Sequence, residues 1–174
     1  MRDIADIFHA GELEARERFD KKSVWSERAI EAVNRMYMQA LDDESKKFIE
    51  ACRFFFISTA DDQGSCDCSF RGTEDRDDGK SLPAAVAVGR ETIVFPDYSG
   101  NRAYNSLGNI LVNPRVGMLF IDFPSARRLR VNGTAKIIEN REAYSHHWKS
   151  ALRFVQVGVD QVFWNCAKRI PGSV

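Results

Sequence analysis

The segment from Phe95 to Gly133, FPDYSGNRAYNSLGNILVNPRVGMLFIDFPSARRLRVNG, constrains this chain more than any other. It joins two apolar strands through a loop whose composition suits an anion. Pro96, Asp97, Ser99, Gly100 and Asn101 break regular structure and favour tight turns. Asn101 is a suitable N-cap, and Ala103, Tyr104, Leu107, Ile110 and Leu111 follow at helical spacing until Asn113-Pro114 stops the run. This reading stands Arg102, backed by Asn105 and Ser106, beside the N-terminus of a short helix. Unpaired backbone N–H groups, the positive end of the helix dipole and a guanidinium fork would meet there, a combination that favours phosphate.

The flanking sequence predicts small antiparallel architecture. Before residue 52 the chain reads as helices over 2–8, 12–19, 26–40 and 42–51. Ile30, Val33, Met36, Tyr37 and Leu41 form an amphipathic stripe suited to a covering layer. From Phe54 the period changes to that of strands. Residues 54–60 and 65–71 flank a turn at 61–64, and 84–88 and 92–95 flank Gly89-Arg90. Residues 116–122 and 129–138 pair across a turn at 123–126, and 154–164 close the set. Gly133 within a strand predicts a bulge or a close backbone approach. Residues 141–152 read as a further helix, and 73–82, TEDRDDGKSL, as a solvated insertion. The expectation is one α+β domain over 1–174, mainly β. A helical extension over 1–51 precedes an antiparallel split-barrel core over 52–166.

Charge and motifs exclude several functions. Lys and Arg number 25 against 25 Asp and Glu, so no net field draws the chain to nucleic acid or to an anionic membrane. No apolar run reaches the ~20 residues of a membrane helix, and the N-terminus MRDIADIF lacks the pattern of a secretory signal, which makes the cytoplasm the expected location. Cys52, Cys66, Cys68 and Cys166 are too few and too irregularly spaced for a disulfide framework. Cys66-x-Cys68 lacks the spacing and the second pair of a structural zinc site, so no metal is expected. There is no GxSxG elbow, no GxxxxGK[ST] loop, no GxGxxG after a strand and no HExxH. His146-His147 falls in the segment read as helix, where adjacent side chains diverge, and His9 is isolated. No catalytic residue is therefore assigned.

The Phe95–Gly133 segment also resembles, together with CDCSFRG at Cys66–Gly72, the pyridoxamine 5'-phosphate oxidase-like family of FMN-binding split barrels. Within it, PDYSGNR, NSLGNIL, NPRVGMLF and RLRVNG are similar to the branch of oxidase-related flavoproteins. The resemblance implies a homodimer that binds FMN in a cleft between subunits. Ser69 and Arg71 match strand-borne contacts to the phosphate and the flavin side. Asn101 and Arg102 match those of the loop, and Asn105 and Ser106 follow the same motif. It also implies an FMN-dependent oxidoreductase acting on a small-molecule electron donor or substrate, in which the flavin carries the chemistry and the protein supplies position, electrostatics and exclusion of solvent. The same residues serve a carrier or sensor without turnover, and split barrels also host deazaflavin and haem. The basic strand signature of pyridoxamine-phosphate oxidase itself is absent near Ser69. The tail residues Trp164, Asn165, Cys166 and Lys168 resemble a segment that borders the partner's flavin.

Overall fold

The computed structural model describes residues 1–20, 25–75, 79, 81–166, 168 and 170. Two compact units emerge, Met1–Met38 and Gln39–Val174. In the first, a 3-10 turn over Ile4–Asp6 precedes α1 (Ala10–Phe19) and α2 (Glu27–Met36). The isolated His9 caps α1, its Nδ1 accepting from the Gly11 N–H at 3.1 Å. Ser26 caps α2 through the Ala29 N–H at 3.2 Å, the use its side-chain oxygen favours. The stretch expected to be helical to residue 40 ends at Met36. Tyr37 turns extended there, and its ring packs edge-on against Phe8 at 5.2 Å.

The second unit opens with α3 (Asp43–Ala51), whose N-cap Asp42 accepts from the Ser45 N–H at 2.7 Å. Seven strands follow: β1 (Phe54–Ala60), β2 (Cys66–Gly72), β3 (Val86–Ala87), β4 (Thr92–Asp97), β5 (Arg115–Asp122), β6 (Arg127–Ile138) and β7 (Arg153–Asn165). They form one antiparallel sheet in the order β2-β1-β5-β6-β7-β4-β3, with α4 (Asn105–Val112) between β4 and β5. The β1–β2 turn is closed by Asp61, which accepts from the N–H groups of Gln63 and Ser65, and Gly64 supplies φ +88°. Those backbone donors, that of Ser65 foremost, hold the Asp61 carboxyl below the usual carboxylate range.

Alternation sets the core. Leu129, Val131 and Ala135 of β6 are buried while Arg130, Asn132 and Thr134 face out, as a period of two requires. Phe55 of β1 meets Phe95 of β4 and Phe120 of β5 at ring distances of 5.1 Å, all three buried. The ladder between β6 and β7 slips at Asn132/Gly133, the bulge expected from the glycine. Close approach holds as well, since a Cβ on Gly133 would lie 2.2 Å from the Gly158 carbonyl oxygen and 2.8 Å from Val157 Cγ1.

One expected helix is replaced by turns. Residues 141–152 form a series of bonds such as Ala143 N–H to Asn140 O and His147 N–H to Tyr144 O, without a continuous helical ladder. Asn140 and Ser145 divert backbone groups locally, as short polar side chains do. The fully buried Trp148 then fixes the path, donating from Nε1 to the Pro83 carbonyl at 2.8 Å and packing with Val86, Val94, Ala151 and Phe154. Apolar periodicity in this stretch reports that anchor and not a helix face.

Candidate functional site

The strand β2 presents two faces. Cys66, Cys68 and Phe70 are exposed, while Asp67, Ser69 and Arg71 are half-buried and turned to the other side. Beside Ser69 and Arg71 lies the end of β4, the 98–104 loop and the first turn of α4. These enclose a cavity of about 560 Å³. Its walls include all six residues singled out in the sequence: Ser69, Arg71, Asn101, Arg102, Asn105 and Ser106. The volume lies within the range of roughly 300–1,000 Å³ typical of small-molecule sites.

The loop is shaped differently from the sequence reading. Asn101 is not the helix N-cap; its Oδ1 accepts from the Ala103 N–H at 3.0 Å, a local turn two residues on. The N-cap is Tyr104, with φ 56° and no side-chain cap bond, and α4 starts at Asn105. Arg102 has φ 63°, so two non-glycine residues hold left-handed conformations on either side of Ala103. Each costs about 1 kcal/mol, and such outliers cluster where a loop is held for ligands. The result aims the uncapped first turn of α4 into the cavity, as Asn105, Ser106 and Leu107 all line it. α4 is itself tied down by Asn109, whose Nδ2 donates to Thr59 Oγ1 of β1 at 3.0 Å.

Charge is distributed unevenly around this space. Arg71 Nη1 donates to Asp97 Oδ1 at 3.2 Å, while its Nε is buried with no hydrogen-bond partner among the described residues. Asp97 is buried, and Arg153 Nε stands 3.6 Å from its other oxygen. Arg102, by contrast, is exposed and makes no ion pair or hydrogen bond among the described residues. Ser69 and the buried Ser106 converge on Asp67: Ser69 Oγ donates to Asp67 Oδ2 at 2.9 Å, and the one hydrogen of Ser106 Oγ is shared between Ser69 Oγ at 3.0 Å and Asp67 Oδ2 at 3.2 Å. The half-buried Tyr98 phenol lines the cavity and is pushed up to about 12, first by burial and then by the Glu74 carboxylate, so it stays protonated.

Asp67, Asp97 and Arg153 escaped the sequence reading. Asp67 was legible, because it shares the alternation of Ser69 and Arg71 at i−2 and i−4. In the sequence Asp97 has only the character of a turn former, and Arg153 is brought in by the pairing of β7 with β4, where it opposes Asp97. The tail residues lie elsewhere. Trp164 packs edge-on against Phe48 at 4.9 Å, the Arg127 guanidinium sits 4.3 Å from its ring centroid, and Trp164 and Asn165 line a cleft of about 240 Å³ with Glu44, Ala126 and Arg127. Among the described residues no group of three or more His, Cys, Asp or Glu is arranged to hold a metal ion, and no helix is long and apolar enough to cross a membrane.

An antiparallel seven-stranded sheet with this order, with α3 and α4 packed against it, defines a split-barrel protein of the FMN-binding type. The sequence pattern of the pyridoxamine 5'-phosphate oxidase family matches residues 41–162, and the chain belongs to that family. Solved structures share the fold at low identity. A putative pyridoxamine 5'-phosphate oxidase from Lactobacillus delbrueckii aligns with a TM-score of 0.53 and 17% identity, over 72% of this chain and 99% of its own. An FMN-binding protein from Syntrophomonas wolfei aligns with a TM-score of 0.52 and 10% identity, over 90% and 98%. HupZ from Group A Streptococcus aligns with a TM-score of 0.54 and 13% identity, over 77% and 99%. No curated protein matches the chain.

Proposed function

We propose that this protein is an FMN-binding flavoprotein and an FMN-dependent oxidoreductase, with the phosphate of the cofactor held at the junction of β2, the 98–104 loop and α4. The observation that carries the reading is convergence. Residues from three separate segments meet around one cavity, and the guanidinium nearest the loop is exposed and unpaired there. The buried, unpartnered Nε of Arg71 fits the group as well, because a ligand oxygen would satisfy a donor that the protein leaves open. Arg102 and the N–H groups of the α4 first turn would hold the phosphate, with Asn101 and Asn105 beside them, and Ser69 and Ser106 would line the remainder of the cofactor's path.

When bound, FMN supplies hydride and electron transfer. The chain's part is to fix the cofactor and to keep the surroundings neutral. Asp97 is held between Arg71 and Arg153, so its charge is compensated beside the anion. The protonated Tyr98 adds no charge. We further propose a homodimer with the flavin at the subunit interface. Phe54, Phe56, Phe70 and Phe123 stack on the outer side of β1 and β2, with Phe70 61% exposed, and Phe70 also edges the cavity. An apolar patch of this kind is normally covered by a partner surface.

The test is the visible absorption spectrum of the purified protein, followed by titration with FMN and riboflavin. Two flavin bands and a clear preference for FMN support the reading. Equal affinity for the two flavins overturns the phosphate site. A steady-state assay with nicotinamide donors separates an oxidoreductase from a carrier or sensor built on the same pocket.

A further inference from the structure

The hydroxyl groups of Ser69 and Ser106 look at first like donors for a phosphate, but their hydrogens are committed elsewhere. Ser69 Oγ donates to Asp67 Oδ2 at 2.9 Å, and the single hydrogen of Ser106 goes to the same carboxylate oxygen at 3.2 Å or to Ser69 Oγ at 3.0 Å. A carboxylate offers no hydrogen, and the two serines own one each. A charge-assisted bond to the carboxylate is stronger than a neutral alternative, so the Ser69 hydrogen stays on Asp67; the Ser106 hydrogen is used within the same cluster on either acceptor, and lone pairs are what the two hydroxyls have left to offer the cavity. Asp67 does not line the cavity; it stands behind the serines and borders a separate cleft with Cys66 and Arg115.

We infer that Asp67 is a positioning residue that makes Ser69 and Ser106 hydrogen-bond acceptors toward the cavity, so that this corner selects the hydroxyl-bearing part of the ligand. The anion is thereby left to the Arg102 side. The ligand class that satisfies both corners is a phosphorylated polyol chain: phosphate oxygens take the guanidinium and the loop N–H groups, and a chain hydroxyl donates to a serine oxygen. The inference rests on the FMN reading above and divides the labour within it.

The experiment measures dissociation constants of FMN and riboflavin by flavin fluorescence for the wild type and for Asp67→Asn, Ser106→Ala and the double variant. Asn can donate its amide hydrogens to the serines, which frees their own for the phosphate. The ratio of FMN to riboflavin affinity should then rise at least about fivefold in Asp67→Asn, the scale of one gained bond to a charged group. The gain must depend on the serine. Ser106→Ala should cost at least about fivefold more FMN affinity in the Asp67→Asn background than in the wild type, whereas mere removal of a negative charge predicts equal costs. An unchanged or lower ratio in Asp67→Asn, or equal costs of Ser106→Ala in both backgrounds, overturns the inference while the preference of the wild type for FMN stands. Equal wild-type affinity for the two flavins overturns the phosphate reading and this inference with it. If Asp67→Asn does not fold, Ser69→Ala and Ser106→Ala in the wild type decide: a ratio that holds within about threefold supports acceptor serines, and a loss of about tenfold in FMN affinity alone refutes them.

Discussion

Two arginines line the candidate cavity, and the structure predicts that removing them has different consequences. Arg102 is exposed and unpaired among the described residues, in a left-handed backbone conformation. Arg102→Ala therefore removes no folded-state ion pair, and its effect on stability should stay within about 0.5 kcal/mol. Its effect on FMN should be about 1.5–3 kcal/mol, the scale of a lost bond to a charged partner, or roughly ten- to a hundredfold in affinity. Riboflavin should scarcely respond. Arg71 instead donates to the buried Asp97 at 3.2 Å, with side-chain exposures of 22% and 10%. Arg71→Ala would leave that carboxylate with Arg153 at 3.6 Å as its remaining ion-pair partner among the described residues. The expected cost in stability is about 1–3 kcal/mol, less than for a pair broken outright because one cation stays. Urea unfolding of the ligand-free variants and fluorescence titration with both flavins separate the two quantities. Wild-type FMN affinity in Arg102→Ala, or an Arg71→Ala protein as stable as the wild type, would refute the reasoning.

Gly133→Ala should destabilise the protein by about 2–4 kcal/mol, because its Cβ meets the Gly158 carbonyl oxygen at 2.2 Å and backbone on both strands must move; a urea midpoint within error of the wild type would count against it. Iodoacetamide at neutral pH should label the exposed Cys66, Cys68 and Cys166 in the native protein and spare Cys52, whose thiol burial pushes up to about 12; the thiolate fraction there grows only as pH approaches that value, and early Cys52 labelling in a mass-spectrometric time course would contradict this. The protein should sediment as a dimer at micromolar concentration, and Phe70→Asp should shift it toward monomer; a wild-type monomer that retains FMN refutes the shared cleft. Donor-dependent bleaching of the flavin band should survive Cys66→Ser with Cys68→Ser, and loss of reduction with FMN still bound would bring the thiols into the chemistry.

The sequence by itself determined the strand order along the chain, the faces of those strands and the residues that line the candidate cavity. Period-two alternation in β6, the turn former Gly89 with φ +76° and the bulge at Gly133 are local or nearly local properties, so they can be read without coordinates. The same is true of the helix that ends before Asn113-Pro114. Tertiary structure decided what competes with local preference. Residues 141–152 carry helix-like spacing, yet the burial of Trp148 and its bond to Pro83, 65 positions away, impose turns instead. Asn101 has the chemistry of an N-cap, but two left-handed residues delay α4 to Asn105, because the loop must span from β4 to a helix tied to β1 through Thr59 and Asn109. Within the candidate site, Arg102 was legible as an isolated charge beside a helix start. The pairing of Arg71 and Arg153 with Asp97, and the turning of Ser69 and Ser106 toward Asp67, were not. Ser69 and Asp67 share one face of β2, but the other contacts join residues between 26 and 56 positions apart, and only the closing of the sheet brings those partners within reach.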